Sequence, residues 1–361
     1  MKIQNQGFDH VEFIVNDVAA HARTYERMGF EPVGERHLPA RGIRSRLFAQ
    51  GFVRIMLTQS DGSPAAEKQE SVKFLRKHAE GICVLAVDVD DATEAFRETT
   101  GRGARAARSP ETFETPEGRV TVSEIWTPAD VRYRFVERSG PANGKAPALF
   151  EEGLVASRIE SPSPMGIRVI DHLTNNVEIG QMKNWVDWYK QVWGFVVTRH
   201  FDIRTGRTGL ISDVVESPCG KIKVPINEAT DKASQVQEFC DRMKGAGVQH
   251  LALLTTGIMD SLKDLRKQNF KFLAVPHSYY EVVPTRVPGV TENIAQLEEL
   301  GILLDGDAGG YLMQIFSEEI VGPFFFEYIQ RKGNRGFGEG NFRALFEAME
   351  LDQIRRGVLK A

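Results

Sequence analysis

The sequence predicts an α+β chain made by duplication, with four strand–helix–strands modules and one further helix at its end. Three observations carry this. A strand opening on an aspartate–histidine pair, and the helix after it, recur about 160 residues along the chain, and a repeat on that scale decides the architecture. A second strand–helix pair inside each half recurs at a similar offset. The composition, 42% hydrophobic and 26% charged over 361 residues, is that of a globular chain long enough for two domains.

The first module, near 8–60, opens with Phe8-Asp9-His10 and continues through Val11, Phe13 and Val15 with the period-2 alternation of a strand. Ala22, Tyr25 and Met28 then form a weak helical stripe, ended by Gly29-Phe30, where a glycine commonly caps a helix. The second module, near 81–138, runs from the strand Gly81–Ala86 through a helix near 91–99 to the strand Tyr133–Arg138. Residues 139–166, rich in Gly, Pro, Ser and Ala, read as a linker with one short ordered piece. The expected division is an N-terminal domain at 1–138, this linker, and a C-terminal domain at 167–361.

The third module, near 168–227, repeats the opening as Ile170-Asp171-His172, with Leu173, Asn175 and Val177 alternating after it. Its helix carries Trp185, Trp188, Tyr189 and Val192 at i, i+3, i+4 and i+7 and ends in Gly194-Phe195. Strands are expected at 196–203, 208–215 and 221–227, the last containing Pro225, a residue that marks a strand edge or bulge. The fourth module, near 247–331, runs from Gly247–Ala252 through a helix at 259–269 to Phe326–Arg331. Residues 273–306 read as an insertion with one short helix, 292–300. A glycine-rich hinge, 333–340, precedes a final helix beginning near Asn341 as N-cap, with Phe342, Leu345, Phe346 and Met349 on one face.

Several functions are excluded at this level. The formal charge is −4, from 45 basic and 49 acidic residues, so nucleic acid is a poor partner. No run reaches the ~18–20 apolar residues of a membrane span. The opening MKIQNQGFDH lacks the apolar core of a secretory signal, and a cytoplasmic location is expected. Cys83, Cys219 and Cys240 have no CxxC spacing, so a metal would have to use histidines and carboxylates.

Three strand positions in the second half then stand out: His172, His250 and Glu327. Glu327 sits among Phe324, Phe325, Phe326 and Tyr328, where a buried carboxylate needs a partner. A cation is one solution; an ion pair with Arg331 is another. Two imidazoles and one carboxylate make the facial triad of non-haem Fe(II) oxygenases, which leaves the opposite metal face open. The counterparts in the first half are His10, Val84 and Arg134, which cannot hold a cation. A shared structural need would place the same residues in both halves, so one metal site is expected, in the second. His277 reads as a loop residue, and His21, His37, His78 and His200 as solvated. Phe316 and Gln314 share one face of a strand, as do Phe325 and Glu327, while Gln249 points away from His250 on an ideal strand.

The stretches Val169–Thr174, Val224–Glu228, Gly247–Leu253, Phe325–Arg331 and Gly336–Phe342 together resemble the 4-hydroxyphenylpyruvate dioxygenases, closely over 166–358 and weakly over 7–138. The resemblance implies the duplicated vicinal oxygen chelate fold, four βαβββ modules forming two open barrels. It implies Fe(II) on His172, His250 and Glu327, and 4-hydroxyphenylpyruvate and O2 as substrates. Gln235, Gln249, Asn227 and Ser212 would orient the substrate's polar ends. Pro225, Gln314, Phe316, Phe325, Phe337, Asn341 and Phe342 match substrate-pocket positions, with the last helix gating entry. Ala229 departs from the proline common there. A homo-oligomer, dimer or tetramer, is also implied. 4-Hydroxymandelate synthase resembles the same pattern, although Pro225, Asn227 and Phe337 favour the homogentisate-forming enzyme. An extradiol dioxygenase lacks a matching acid–base pair here, and a metal-free binding protein would not need the full donor set.

Overall fold

The computed structural model describes residues 5–140, 148–204, 208–287 and 289–342, with positions 354 and 357. The first module comprises β1 (Asn5–Ile14), α1 (Val18–Arg27), β2 (Glu31–Leu38), β3 (Ile43–Gln50) and β4 (Val53–Ser60). After α2 (Glu70–Lys77), the second runs through β5 (Gly81–Val89), α3 (Ala92–Gly101), β6 (Ala106–Thr115), β7 (Gly118–Trp126) and β8 (Arg132–Ser139). A small hairpin, β9 (Ala148–Glu151) and β10 (Leu154–Ala156), leads to the second half. There β11 (Ile167–Val177), α4 (Met182–Trp188), β12 (Val196–Arg204), β13 (Gly209–Glu216) and β14 (Lys223–Ala229) form the third module. The fourth, after α5 (Gln235–Met243), holds β15 (Gly247–Thr255), α6 (Ile258–Lys267), α7 (His277–Arg286), α8 (Ile294–Leu300), β16 (Leu303–Asp307), β17 (Gly310–Phe316) and β18 (Phe325–Lys332).

The two eight-stranded sheets have one strand order, β2-β3-β4-β1-β5-β8-β7-β6 and β12-β13-β14-β11-β15-β18-β17-β16, and each curls into an open half-barrel. In every module the opening strand pairs in parallel with the closing one. The two opening strands of each half meet antiparallel at the sheet's centre. β1, β5, β11 and β15 therefore lie at the centre of their sheets rather than at an edge. This is the duplicated fold that the resemblance implied.

The halves share one hydrophobic core. Tyr25 of α1 packs edge-on against Phe326 of β18, and Phe13 against Phe324. Reciprocally, Tyr189, which follows α4, hydrogen-bonds Tyr133 of β8 through their hydroxyls, and Trp193 packs on Tyr133 and Phe135. Each half's first helix thus docks on the other half's last strand. After α4 the helix widens into a π turn, Tyr189–Trp193, and stops at Gly194, whose φ of 71° suits a glycine.

Several expectations are corrected. α2, α5 and α7 were not anticipated. The stretch 273–306 holds two helices, and its last residues belong to edge strand β16. His277 opens α7, with Glu281 and Glu298 beside its exposed ring. His78 is buried, its ring set between the Met243 carbonyl and Asp130. Pro225 marks neither an edge strand nor a bulge: β14 lies between β13 and β11 and the register there is regular; its missing N–H falls where the ladder to β11, which begins at Ile226, has not started. The last helical turn begins at residue 339, so Asn341 is not its cap. Leu345, Phe346 and Met349 lie outside the described residues. Among the described residues no helix is long and apolar enough to cross a membrane.

Candidate metal centre

Three neighbouring strands bring the predicted donors together. His172 comes from β11, His250 from β15 and Glu327 from β18, and one ligand atom of each lies within 4.8 Å of the others. Register explains the convergence: His172 pairs with Ala252, and Ala252 with Glu327. Glu327 Oε2 lies 3.3 Å from His172 Nε2 and 3.4 Å from His250 Nε2. Relative exposures of 2%, 6% and 1% exclude bulk water from all three.

The partners behind the donors fix how they face. His172 Nδ1 meets Asp171 Oδ1 at 2.9 Å, and His250 Nδ1 meets Gln249 Oε1 at 3.1 Å. Both acceptors favour a proton on Nδ1, so each Nε2 is the nitrogen turned toward Glu327. The Thr174 hydroxyl reaches His250 Nε2 at 3.0 Å, and Gln314 Nε2 donates to Glu327 Oε1 at 3.1 Å. Glu327 is not paired with Arg331, which serves Asp171 instead. Two imidazole nitrogens and one carboxylate oxygen, buried and mutually oriented, are a donor set that fits a divalent metal.

Electrostatics agree with that geometry. Burial pushes the Glu327 carboxyl up, but the neighbouring imidazoles hold it down at about 2. Burial disfavours the His172 imidazolium, yet Glu327 and Asp171 outweigh it and raise its pKa. For His250 burial wins over Glu327, and the pKa falls. One imidazole is thus biased neutral and the other biased to hold a proton between itself and Glu327.

Gln249 corrects a sequence expectation. Thr174 pairs with His250 and Asn175 with Val248, so Gln249 is the extra residue of a β-bulge. The bulge breaks strict alternation and lets Gln249 line the same pocket as His250. Its amide nitrogen donates to Gln235 Oε1 at 3.0 Å.

The cavity above the triad has about 480 Å³ of empty volume. Pro225, Asn227, Gln235, Gln249, Phe316 and Phe342 line it. Phe325 stacks on His250 with ring centroids 5.0 Å apart, and Phe337 packs edge-on against His172 at 5.3 Å. Gln314 and Asn341 stand one layer behind: Asn341 donates to Gln314 at 2.9 Å, and Gln314 to Glu327. Ser212 is the cross-strand neighbour of Asn227, with its buried hydroxyl unpaired. Thr174, Ile203 and Leu210 also line the cavity and were not anticipated. Thr174 was readable, lying two residues beyond His172 on the same strand face. Phe201, edge-on to Phe342, was not.

The first half carries the same register with different chemistry. Val84 and Arg134 occupy the places of His250 and Glu327. The Arg134 guanidinium bonds Glu124 at 2.7 Å and Glu12 at 3.1 Å, and also Glu151 of the linker hairpin. A cation belonging to the chain stands where the second half gathers its donors.

Residues 2–146 match the family model described as hydroxyphenylpyruvate dioxygenase, N-terminal. Residues 169–282 match the glyoxalase/bleomycin resistance protein/dioxygenase superfamily. The 4-hydroxyphenylpyruvate dioxygenase of Pseudomonas aeruginosa is 39% identical, over 99% of this chain and 97% of its own length. That of Legionella pneumophila is also 39% identical, over 98% and 96%. Among solved structures, a mutant 4-hydroxymandelate synthase from Streptomyces coelicolor has a TM-score of 0.81 at 26% identity, covering 98% of this chain and 100% of that one. With such identity over nearly the whole chain, the chain belongs to the 4-hydroxyphenylpyruvate dioxygenase family.

Proposed function

We propose that this protein is an Fe(II)-dependent dioxygenase that converts 4-hydroxyphenylpyruvate and O2 to homogentisate and CO2. The observation that carries the reading is the buried His172–His250–Glu327 donor set at the base of a phenylalanine-lined cavity, in a chain of this family. Fe(II), held by these three residues, would supply the chelation of a 2-oxo acid and the activation of dioxygen.

The chain's own part is orientation and exclusion of water. Phe316 and Phe342, with Ile203, Leu210 and Pro225, present apolar surface to an aromatic ring. The Gln235–Gln249 amide pair and Asn227 give the otherwise apolar wall polar points for the substrate's phenol or carboxylate. Asn227 is held by Asn176, its Nδ2 donating to the Asn176 side-chain oxygen at 3.2 Å, so its amide is pre-set before substrate arrives. Ser212 adds an unpaired hydroxyl beside it. We read 167–361 as the catalytic part and 1–138 as a part without a metal site, in a cytoplasmic homo-oligomer.

Metal-free protein supplied with Fe(II) and 4-hydroxyphenylpyruvate, then exposed to oxygen, tests this. Homogentisate with stoichiometric CO2 is expected on chromatographic analysis. The structural likeness to the synthase supports a second reading, in which the benzylic carbon is hydroxylated. 4-Hydroxymandelate as the product would establish that reading and overturn ours.

A further inference from the structure

Both halves contain a clamp that metal ligation alone does not require. In the second half, Arg331 grips Asp171 with two parallel bonds, Nε to Oδ2 at 2.8 Å and Nη2 to Oδ1 at 2.6 Å. Asp171 in turn accepts from His172 Nδ1. The remaining arm of the guanidinium, Nη1, donates to the carbonyl of Gly336 at 2.6 Å. The guanidinium carbon lies 5.9 Å from the centroid of Phe337, whose ring packs on His172. One arginine therefore holds the carboxylate that orients His172 and, at the same time, the segment 333–338.

The first half repeats every part. Asp9 accepts from His10 at 2.5 Å and is gripped by Arg138. Arg138 also donates to the Phe150 carbonyl, at 2.9 Å and 3.1 Å, and lies 4.3 Å over the Phe150 ring. That ring packs on His10 at 4.9 Å. The donor set is absent there, yet the clamp persists. Its common task is thus to seat the segment leaving the barrel's last strand against the histidine of the barrel floor. Only in the second half is that histidine in the donor set.

We propose that Arg331 is a positioning residue that links His172 to the seating of 333–338, so that metal occupancy and closure of this segment stabilise each other. The proposal rests on His172 being a metal ligand. Asp171 keeps the His172 proton on Nδ1 and its Nε2 lone pair toward the metal, and Arg331 keeps Asp171 in place. A residue shared between the two makes the coupling reciprocal. A separate relay, Glu327 to Gln314 to Asn341, continues to Tyr279 and Arg286 of α7 and holds 339–342 independently.

The test uses the full-length metal-free protein and Co(II) alone, with calorimetry for affinity and hydrogen exchange for the hinge. In the unmodified protein Co(II) should slow exchange across 333–342. Arg331→Met should weaken Co(II) binding ~10–100-fold, the loss typical of an outer-layer partner. It should also abolish the Co(II)-induced protection of 333–338 while sparing 339–342. Arg331→Lys, with charge but no fork, should fall between. Asp171→Asn keeps the arginine–carbonyl bond, so its metal-free hinge should exchange normally but gain no protection from Co(II). Variants that bind Co(II) as the parent does, or whose 333–338 segment is still protected by it, would overturn the coupling. Failure of the parent protein to bind Co(II) would instead overturn the metal reading beneath it.

Discussion

Gly338 allows the hinge and the donor set to be tested through one added methyl group. Its φ is +80°, and a Cβ placed there would lie 1.7 Å from Gln314 Oε1. Ala in that left-handed conformation costs ~1–2 kcal/mol. The clash adds more, because Gln314 is not free to swing away: it is fully buried, accepts from Asn341 at 2.9 Å and donates to Glu327 at 3.1 Å. Each buried polar group left unpaired costs ~1–3 kcal/mol. Gly338→Ala should therefore destabilise the seated hinge by ~2–5 kcal/mol, summing the backbone cost and the loss of one bond. In a Gln314→Ala background only the backbone cost should remain, which gives a coupling of ~1–3 kcal/mol between the two sites. Urea unfolding of the four proteins measures this if the hinge stays down. If it lifts instead, the same difference appears in the opening free energy of the 338–342 amides. Additivity within ~0.5 kcal/mol by both measures would refute the packing argument.

Further expectations concern charge. Glu327→Gln keeps the volume but removes the anion, so Co(II) affinity should fall by more than the ~100-fold ceiling of an outer-layer change, with the fold retained in circular dichroism; a smaller loss would remove Glu327 from the donor set. Near pH 6.5, metal binding should release protons mainly from His172, whose pKa is raised, and less from His250, whose pKa is lowered. As the His172 pKa is raised, proton competition weakens the metal as pH falls and persists above the ordinary imidazole range; calorimetry in two buffers reads the proton release, and its absence would contradict this. Arg134→Met should leave Glu12, Glu124 and Glu151 without their common cation and cost ~3–5 kcal/mol in unfolding free energy while Co(II) affinity is unchanged; altered metal binding would show that the two barrels are not electrostatically separate.

Much of this site was visible in the residues because the duplication supplies its own control. Ile170-Asp171-His172 against Phe8-Asp9-His10 marked the opening strand of each half, and Glu327 against Arg134 singled out the half with a complete donor set. What period-2 reasoning could not show was the bulge at Gln249, since alternation assumes a regular ladder. The clamp was partly legible: Asp9 and Arg138 repeat as Asp171 and Arg331, but their pairing joins residues far apart in sequence. α5 had a readable stripe in Val236, Phe239, Cys240 and Met243 behind a Ser234 cap. α7 had none, and Pro284 inside it argues against a helix on local grounds; tertiary contacts from Tyr279 and Val283 decide it instead.

The exchange of helices between the halves has a further consequence. Tyr25 fills the space beneath Phe326, and Tyr189 the space beneath Tyr133, so neither barrel is complete until the other is present. Cutting the chain in the linker would strip each piece of a fully buried tyrosine partner and expose the aromatic surface which that partner covers. The donor-free barrel is therefore indispensable scaffolding for its twin. Unfolding should proceed as a single cooperative event, and damage to Tyr25, which packs on the face of β18 opposite Glu327, should be felt in catalysis only through the population that remains folded.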